Sequence, residues 1–243
     1  AIDNMARVQL EMGSKNALVV LDDADMDVAV NCALAGGYFG TGQKCTASSR
    51  IIVQAGIHDA FVEKLSAAVS NLVVGHALGE GSQIGPVVDA RQLQQNLDFM
   101  QIAKDEGAEL VVGGERLNLD TEGFFMSPAL FVNTNNQMRI NREEVFGPIA
   151  CVIKVDSYEQ ALEVSNDSDF GLTSGIITNS LKYAGHFKRH SQSGCVMVNL
   201  PTAGTDYHVP FGGRKNSSYG PREQGSSARE FYTIVKTNYS KPY

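Results

Sequence analysis

Two residues of this chain stand in settings that suit covalent carbonyl chemistry. Glu11 lies in Val8-Gln9-Leu10-Glu11-Met12-Gly13-Ser14-Lys15-Asn16, where an apparent strand runs into a glycine turn. Cys45 lies in Phe39-Gly40-Thr41-Gly42-Gln43-Lys44-Cys45-Thr46-Ala47-Ser48-Ser49-Arg50, after a glycine-rich approach and before small residues that leave room for a substrate. A thiolate adds to a carbonyl carbon, and a carboxylate across the pocket then activates water to release the acyl product. Lys44, next to the cysteine, would favour the thiolate. The plainer alternatives are a buried structural thiol, which is what most free cysteines are, and a surface carboxylate or partner for Lys15. Cys32, Cys151 and Cys195 fall within helical or strand runs, and for them the structural reading is preferred.

Two further islands carry chemistry-bearing residues. Glu143-Glu144-Val145-Phe146-Gly147-Pro148 could present a carboxylate and a ring to a sugar or a flat ligand, or be an acidic loop anchored by one core aromatic. Pro210-Phe211-Gly212-Gly213-Arg214-Lys215 looks like an anion-binding turn but lacks the GxxxxGK[ST] spacing of a phosphate loop. No GxGxxG follows a strand, so the chain carries no recognisable dinucleotide phosphate cradle.

The elements that must position these residues alternate. Short apolar runs at 17–21, 49–53, 109–112, 129–132, 150–155, 174–178 and 195–199 read as strands, and an opening strand is expected over 7–11. Asp22, Asp23 and Asp25 offer N-caps for a helix through about Leu34, and helical periodicity is expected over 60–73, 91–106, 158–165 and 181–190. Strands separated by helices imply βαβ units and a largely parallel sheet, an α/β fold. Residues 200–228 have no period and read as a functional loop. The β-branched and aromatic run 231–237 reads as a strand.

Composition narrows the function classes. The chain has 243 residues, 43% of them hydrophobic, a net charge of -7 and a pI near 5.2, which argue against a nucleic-acid or anionic-membrane partner. Four cysteines without CxxC spacing read as reduced thiols of a cytoplasmic protein, and five dispersed histidines give no metal site. The chain begins at Ala1 without a methionine and enters the apparent strand 7–11 almost at once, which is expected of the latter part of something longer.

The motifs Glu-Met-Gly-Ser-Lys-Asn, Gly-Gln-Lys-Cys, Glu-Glu-Val-Phe-Gly-Pro, Asn-Asp-Ser-Asp-Phe-Gly-Leu and Pro-Phe-Gly-Gly-Arg-Lys, in that order, closely resemble those of the NAD(P)-dependent aldehyde dehydrogenase superfamily. Within it, Thr-Gly-Gln-Lys-Cys-Thr-Ala-Ser-Ser-Arg, Met-Arg-Ile-Asn-Arg-Glu-Glu and Asn-Leu-Pro-Thr-Ala-Gly look most like α-ketoglutaric semialdehyde (2,5-dioxovalerate) dehydrogenases. The resemblance implies that Cys45 is the nucleophile and Glu11 the base for deacylation. By the same resemblance Glu144 would hold the nicotinamide-side ribose of NAD or NADP, Phe146 would lie near the nicotinamide, and Phe211 would line the aldehyde tunnel. Lys44, Arg50 and Arg142 are candidates to anchor a substrate carboxylate. Residues 1–13 would end a cofactor-binding domain, 14–228 form the catalytic domain, and 229–243 hold an oligomerisation strand and tail of a homodimer or homotetramer. The other readings are a non-catalytic assembly module, or an isolated lobe with residual thiol or esterase reactivity. One departure is notable: Ser14 stands where the resembling motif usually has a second glycine.

Overall fold

A computed structural model describes residues 1–243. The chain forms β1 (Leu10–Glu11), β2 (Asn16–Val20), α1 (Met26–Gly37), β3 (Ser48–Gln54), α2 (Ala55–Ser70) and α3 (Ala90–Asp105). It continues with β4 (Glu109–Val112), β5 (Arg116–Leu117), β6 (Phe125–Met126), β7 (Ala129–Thr134), α4 (Arg139–Arg142), β8 (Ile149–Val155) and α5 (Tyr158–Asn166). The last elements are β9 (Phe170–Gly171), β10 (Thr173–Ile177), α6 (Leu181–His190), β11 (Cys195–Val198), β12 (Arg214–Lys215), β13 (Ser218–Tyr219) and α7 (Gly225–Tyr232).

Seven strands make the central sheet, in the order β11-β10-β2-β3-β8-β7-β4. All neighbours are parallel except β4, which runs antiparallel to β7 at the edge. The expected α/β architecture is therefore observed. Every residue of β2 is buried because helices cover both faces of the sheet, which explains its unbroken apolar run. Leu18 and Val20 pack with Ile51, Phe61 and Leu65 on one face, while Ala17 and Val19 pack with Ile52, Tyr158 and Phe187 on the other. Helix α3 closes a third cluster around Leu93, Phe99, Met100, Phe131 and Cys151. Asp25, Asp89, Ser157 and Ser180 cap α1, α3, α5 and α6 with their side chains, satisfying amides that the first helical turn leaves free.

Three expectations need correction. The opening strand is only β1, and α1 runs past Leu34, with Gly36 and Gly37 packed against β3 as its last turn. The strand expected over 231–237 does not form: Phe231 and Tyr232 end α7, and 233–243 has no regular structure and is exposed throughout. β propensity becomes a strand only where another backbone pairs with it, and none lies beside this segment in the single chain. Among the described residues no helix is long and apolar enough to cross a membrane, and no cluster of three metal-binding side chains occurs.

Candidate active site

The chemistry-bearing residues gather at the amino ends of the parallel strands. Asn16 opens β2, the Cys45 loop leads into β3, the Glu144–Phe146 segment precedes β8, and Thr173 opens β10. Ligand sites of open parallel sheets ordinarily lie at the carboxyl ends of the strands. Here those ends lead instead into the segments that start α1, α2, α5 and α6.

The loop carrying Cys45 is fastened by three consecutive carbonyls. Asn16 Nδ2 donates to the oxygens of Cys45 and Ala47, both at 2.8 Å. Between them, Thr46 O accepts from Thr202 Oγ1 at 2.8 Å and from Thr173 Oγ1 at 3.4 Å. Thr202 and Ser48, whose hydroxyls are 2.5 Å apart, are buried. The approach needs Gly42: its φ is +62°, and a Cβ there would stand 2.1 Å from the carbonyl oxygen of Gly147. Cys45 itself is exposed, unlike Cys32 and Cys151. Partial desolvation and the charges of Glu11 and Glu144 raise its pKa, while the backbone amides of Cys45 and Thr46 favour the thiolate. Those two amides, not Lys44, are the local stabilisers of the nucleophilic form.

Glu11 is held from the far end of the chain. Strand β1 pairs with β13 so that Glu11 faces Ser218, and Ser218 Oγ donates to Glu11 Oε2 at 2.7 Å. Gln9 Nε2 donates to the other oxygen at 3.1 Å. Desolvation raises the Glu11 pKa, the Ser218 hydrogen bond opposes that rise, and the negative charge of Glu223 adds to it. A carboxylate raised in this way is a better proton acceptor than one in water.

Glu144 and Phe146 form a second part of the site. Ser14 N–H donates to Glu144 Oε1 at 2.9 Å, and a Cβ on Gly13, whose φ is +68°, would come within 2.5 Å of Oε2. Burial raises the Glu144 pKa, opposed by the Ser14 amide and by Lys15. Lys15 is itself buried, which lowers its pKa to about 8. Phe146 is half-buried with φ +60°, a conformation that an aromatic residue adopts only when its surroundings hold it. The holders are on α3: Gln92 Nε2 donates to the oxygens of Val145 and Phe146, and Gln95 Nε2 to Val145 O. Ser14, Asn16, Gly42, Lys44, Glu144 and Phe146 border one hollow. A carboxylate acceptor and an aromatic ring thus border the same hollow.

The proposed carboxylate anchors fare differently. Arg50 is fully buried and donates to Lys15 O, Asn136 Oδ1, Val164 O and Ser165 O at 2.9–3.1 Å, so it ties the fold and meets no substrate. Its burial lowers its pKa to about 10. Arg142 donates to Asp167 O and Oδ1 at 2.8 and 3.0 Å. Lys44 is exposed and borders the Glu144 hollow. Phe211 is buried and pairs its backbone with Glu223, next to Gly212, whose added Cβ would lie 3.2 Å from Glu11 Oε1.

Sequence reasoning passed over Asn16, Thr173, Thr202, Ser218, Glu223, Gln92 and Asn96. Asn96, whose Oδ1 accepts from Gln92 Nε2 at 2.9 Å, offered a signal, a polar residue on the apolar face of α3, where it is fully buried. Asn16 offered a weaker one, as a polar residue adjoining an apolar strand. Ser218 and Thr202 offered none, because their partners are remote in sequence.

Known proteins resemble this chain in sequence and fold. The family model described as "Aldehyde dehydrogenase family" matches residues 1–238. The alpha-ketoglutaric semialdehyde dehydrogenase of Bacillus subtilis (strain 168) is 42% identical over 244 residues, covering 100% of this chain and 50% of that protein. The 2,5-dioxopentanoate dehydrogenase of Saccharolobus solfataricus is 37% identical, covering 98% of this chain and 49% of that protein. Among solved structures, betaine aldehyde dehydrogenase from Staphylococcus aureus in complex with NAD+ superposes with a TM-score of 0.91 at 33% identity, covering 99% of this chain and 50% of that one. The NAD+ complex of aldehyde dehydrogenase from Bacillus cereus gives 0.92 at 33% identity, covering 97% of this chain and 47% of that one. The chain thus spans about half the length of the relatives it matches. By the family match over nearly its whole length, this chain belongs to the aldehyde dehydrogenase family.

Proposed function

We propose that this chain supplies the catalytic half of an NAD(P)-dependent aldehyde dehydrogenase that oxidises a carboxylate-bearing semialdehyde of the 2,5-dioxovalerate type. The observation that carries the reading is the opposition of two independently fastened groups. Glu11, held by Ser218, lies near enough for its charge to act on the thiol of Cys45, held through its loop by Asn16 and Thr202. The names of the relatives support the substrate class.

In this mechanism Sγ of Cys45 adds to the aldehyde carbon, and the amides of Cys45 and Thr46 stabilise the thiolate beforehand. NAD or NADP, when bound, supplies the hydride acceptor; Glu144 would hold its nicotinamide-side ribose and Phe146 would lie against its ring. Glu11 takes the proton of the water that attacks the resulting thioester carbon. The C–S bond breaks, the acid leaves, and the thiol of Cys45 returns.

The protein would act in the cytoplasm as a homo-oligomer. The exposed apolar tail, with Ile234 and Val235 about nine-tenths exposed, supports assembly through residues 233–243.

The test uses this chain joined to an amino-terminal cofactor-binding half. Glu11→Gln retains a first-turnover burst of NAD(P)H and loses steady turnover by roughly 10²-fold or more. Cys45→Ala loses both phases. A normal steady rate in Glu11→Gln removes the carboxylate from the mechanism and with it this reading.

A further inference from the structure

Ser14 replaces a glycine of the resembling motif, and its surroundings give that replacement a purpose. The left-handed conformation of the turn belongs to Gly13, whose φ is +68°, so Ser14 takes an ordinary backbone conformation without strain. It is 4% exposed. Its hydroxyl donates to Oδ1 of Asn16 at 2.6 Å. The same Oδ1 accepts the amide of Thr173 at 3.0 Å, and Nδ2 of Asn16 reaches the carbonyls of Cys45 and Ala47. The backbone amide of Ser14 meanwhile donates to Glu144.

Asn16 is therefore a clamp with two faces. One amide end must accept and the other must donate, because its partners are a backbone N–H on one side and two carbonyls on the other. The Ser14 hydroxyl adds a second donor to the accepting end and fixes the plane of the amide. That plane decides how the carbonyls of the Cys45 loop lie, and so how the amides of Cys45 and Thr46 are aimed at the sulfur.

We propose that Ser14 is a positioning residue for the nucleophile, acting through Asn16 on the loop that carries Cys45. The inference rests on the reading of Cys45 as the nucleophile. It gives the chain a buried hydroxyl contact that glycine at this position cannot make. Ser14 touches neither the sulfur nor a substrate.

The effect is read from the alkylation of Cys45 by iodoacetamide across pH 7–11, measured by peptide mapping on the full 243-residue chain. The charged groups around the sulfur are Glu11 on β1 and Glu144 before β8. Lys44, on the loop itself, and Lys15, beside Glu144, are the nearby cations. None of these is altered in the variants. Removing one neutral hydrogen bond, worth about 1 kcal/mol, corresponds to a rate change of roughly fivefold.

Ser14→Ala is expected to move the midpoint of the Cys45 profile to higher pH and to slow labelling near neutrality by about that factor. The limiting rate at high pH stays the same, because the sulfur remains equally accessible. Ser14→Gly behaves like Ser14→Ala, and Ser14→Thr, which keeps the hydroxyl, restores the profile. A merely structural contact would lower thermal stability in Ala and Gly alike and leave the midpoint where it is, and that result overturns the proposal. If Cys45 of the unaltered chain is not the thiol that labels first, the nucleophile reading itself fails and the inference goes with it. Should Ser14→Ala not fold, Ser14→Gly and Ser14→Thr decide the question as a pair.

Discussion

Ser218 and Glu11 are partners twice over: they face each other in the β1–β13 register, and the hydroxyl of one donates to the carboxylate of the other at 2.7 Å. The irregular stretch after residue 200 is thus what sets the orientation of a carboxylate near the start of the chain.

Loss of that hydroxyl has a defined sign. The hydrogen bond from Ser218 lowers the pKa of Glu11 against the rise caused by burial. In the joined, full-length enzyme, Ser218→Ala is expected to raise the Glu11 pKa further. The acid limb of the deacylation rate then moves to higher pH, while the first-turnover burst stays as it was. A pH profile of steady turnover checks this, and a shift toward lower pH contradicts it.

The four thiols should label in a fixed order. Cys45 is exposed, Cys195 is intermediate, and Cys32 and Cys151 are buried, with burial pushing the Cys151 thiol up to about 12. Iodoacetamide followed by peptide mapping is expected to find Cys45 first and Cys151 last. Cys195 labelled ahead of Cys45 would remove the case for a nucleophile on the 40–47 loop.

Arg50 belongs to stability. Its guanidinium serves four acceptors, on Lys15 just before β2, on α5 and on the 135–137 turn, from a fully buried position. Arg50→Met leaves those neutral acceptors without their donor, at about 1–3 kcal/mol for each that stays buried and unpaired, and is expected to cost several kcal/mol in denaturant unfolding. Arg142, whose guanidinium lies on the half-exposed side chain of Asp167, should cost about 1 kcal/mol or less when replaced by Met. Similar losses for the two would show that Arg50 is not the tie its contacts describe.

Substrate charge tests the finer functional reading. An aldehyde with a distal carboxylate should exceed its uncharged counterpart in kcat/KM by about tenfold to a hundredfold in the joined enzyme, the scale of one charge-assisted contact. Lys44 is the exposed candidate for that contact, so Lys44→Met is expected to lose most of the preference. Equal efficiency for both aldehydes would leave a general aldehyde dehydrogenase.

Local patterns made the framework legible. Helix α6 has the ends expected of it, Leu181 and His190, because Ser180 caps the first turn and Ser191 leaves the helical conformation at the last. The unbroken run that became β2 announced a strand buried on both faces. The ordered motifs announced Glu11, Cys45, Glu144 and Phe146. What the sequence hid were single polar residues whose partners lie far along the chain, such as Asn16 with Thr173 or Ser48 with Thr202. No period or composition encodes such pairs. The tail misled for another reason: Thr233, Ile234 and Val235 favour an extended backbone, but a strand also needs a neighbour to complete its hydrogen bonds.

The order in which a ribosome delivers these residues gives the β1–β13 pairing a temporal meaning. Of these residues Glu11 emerges first, Cys45 soon after, and Ser218 207 residues after Glu11. Contacts between such distant segments close late in folding. A chain still short of Ser218 could already lay down β2, β3 and β8 side by side, yet its carboxylate would swing without its tether. The orientation of that carboxylate is thereby deferred until Ser218 has been made, and a product terminated before Ser218 would carry Cys45 with Glu11 untethered.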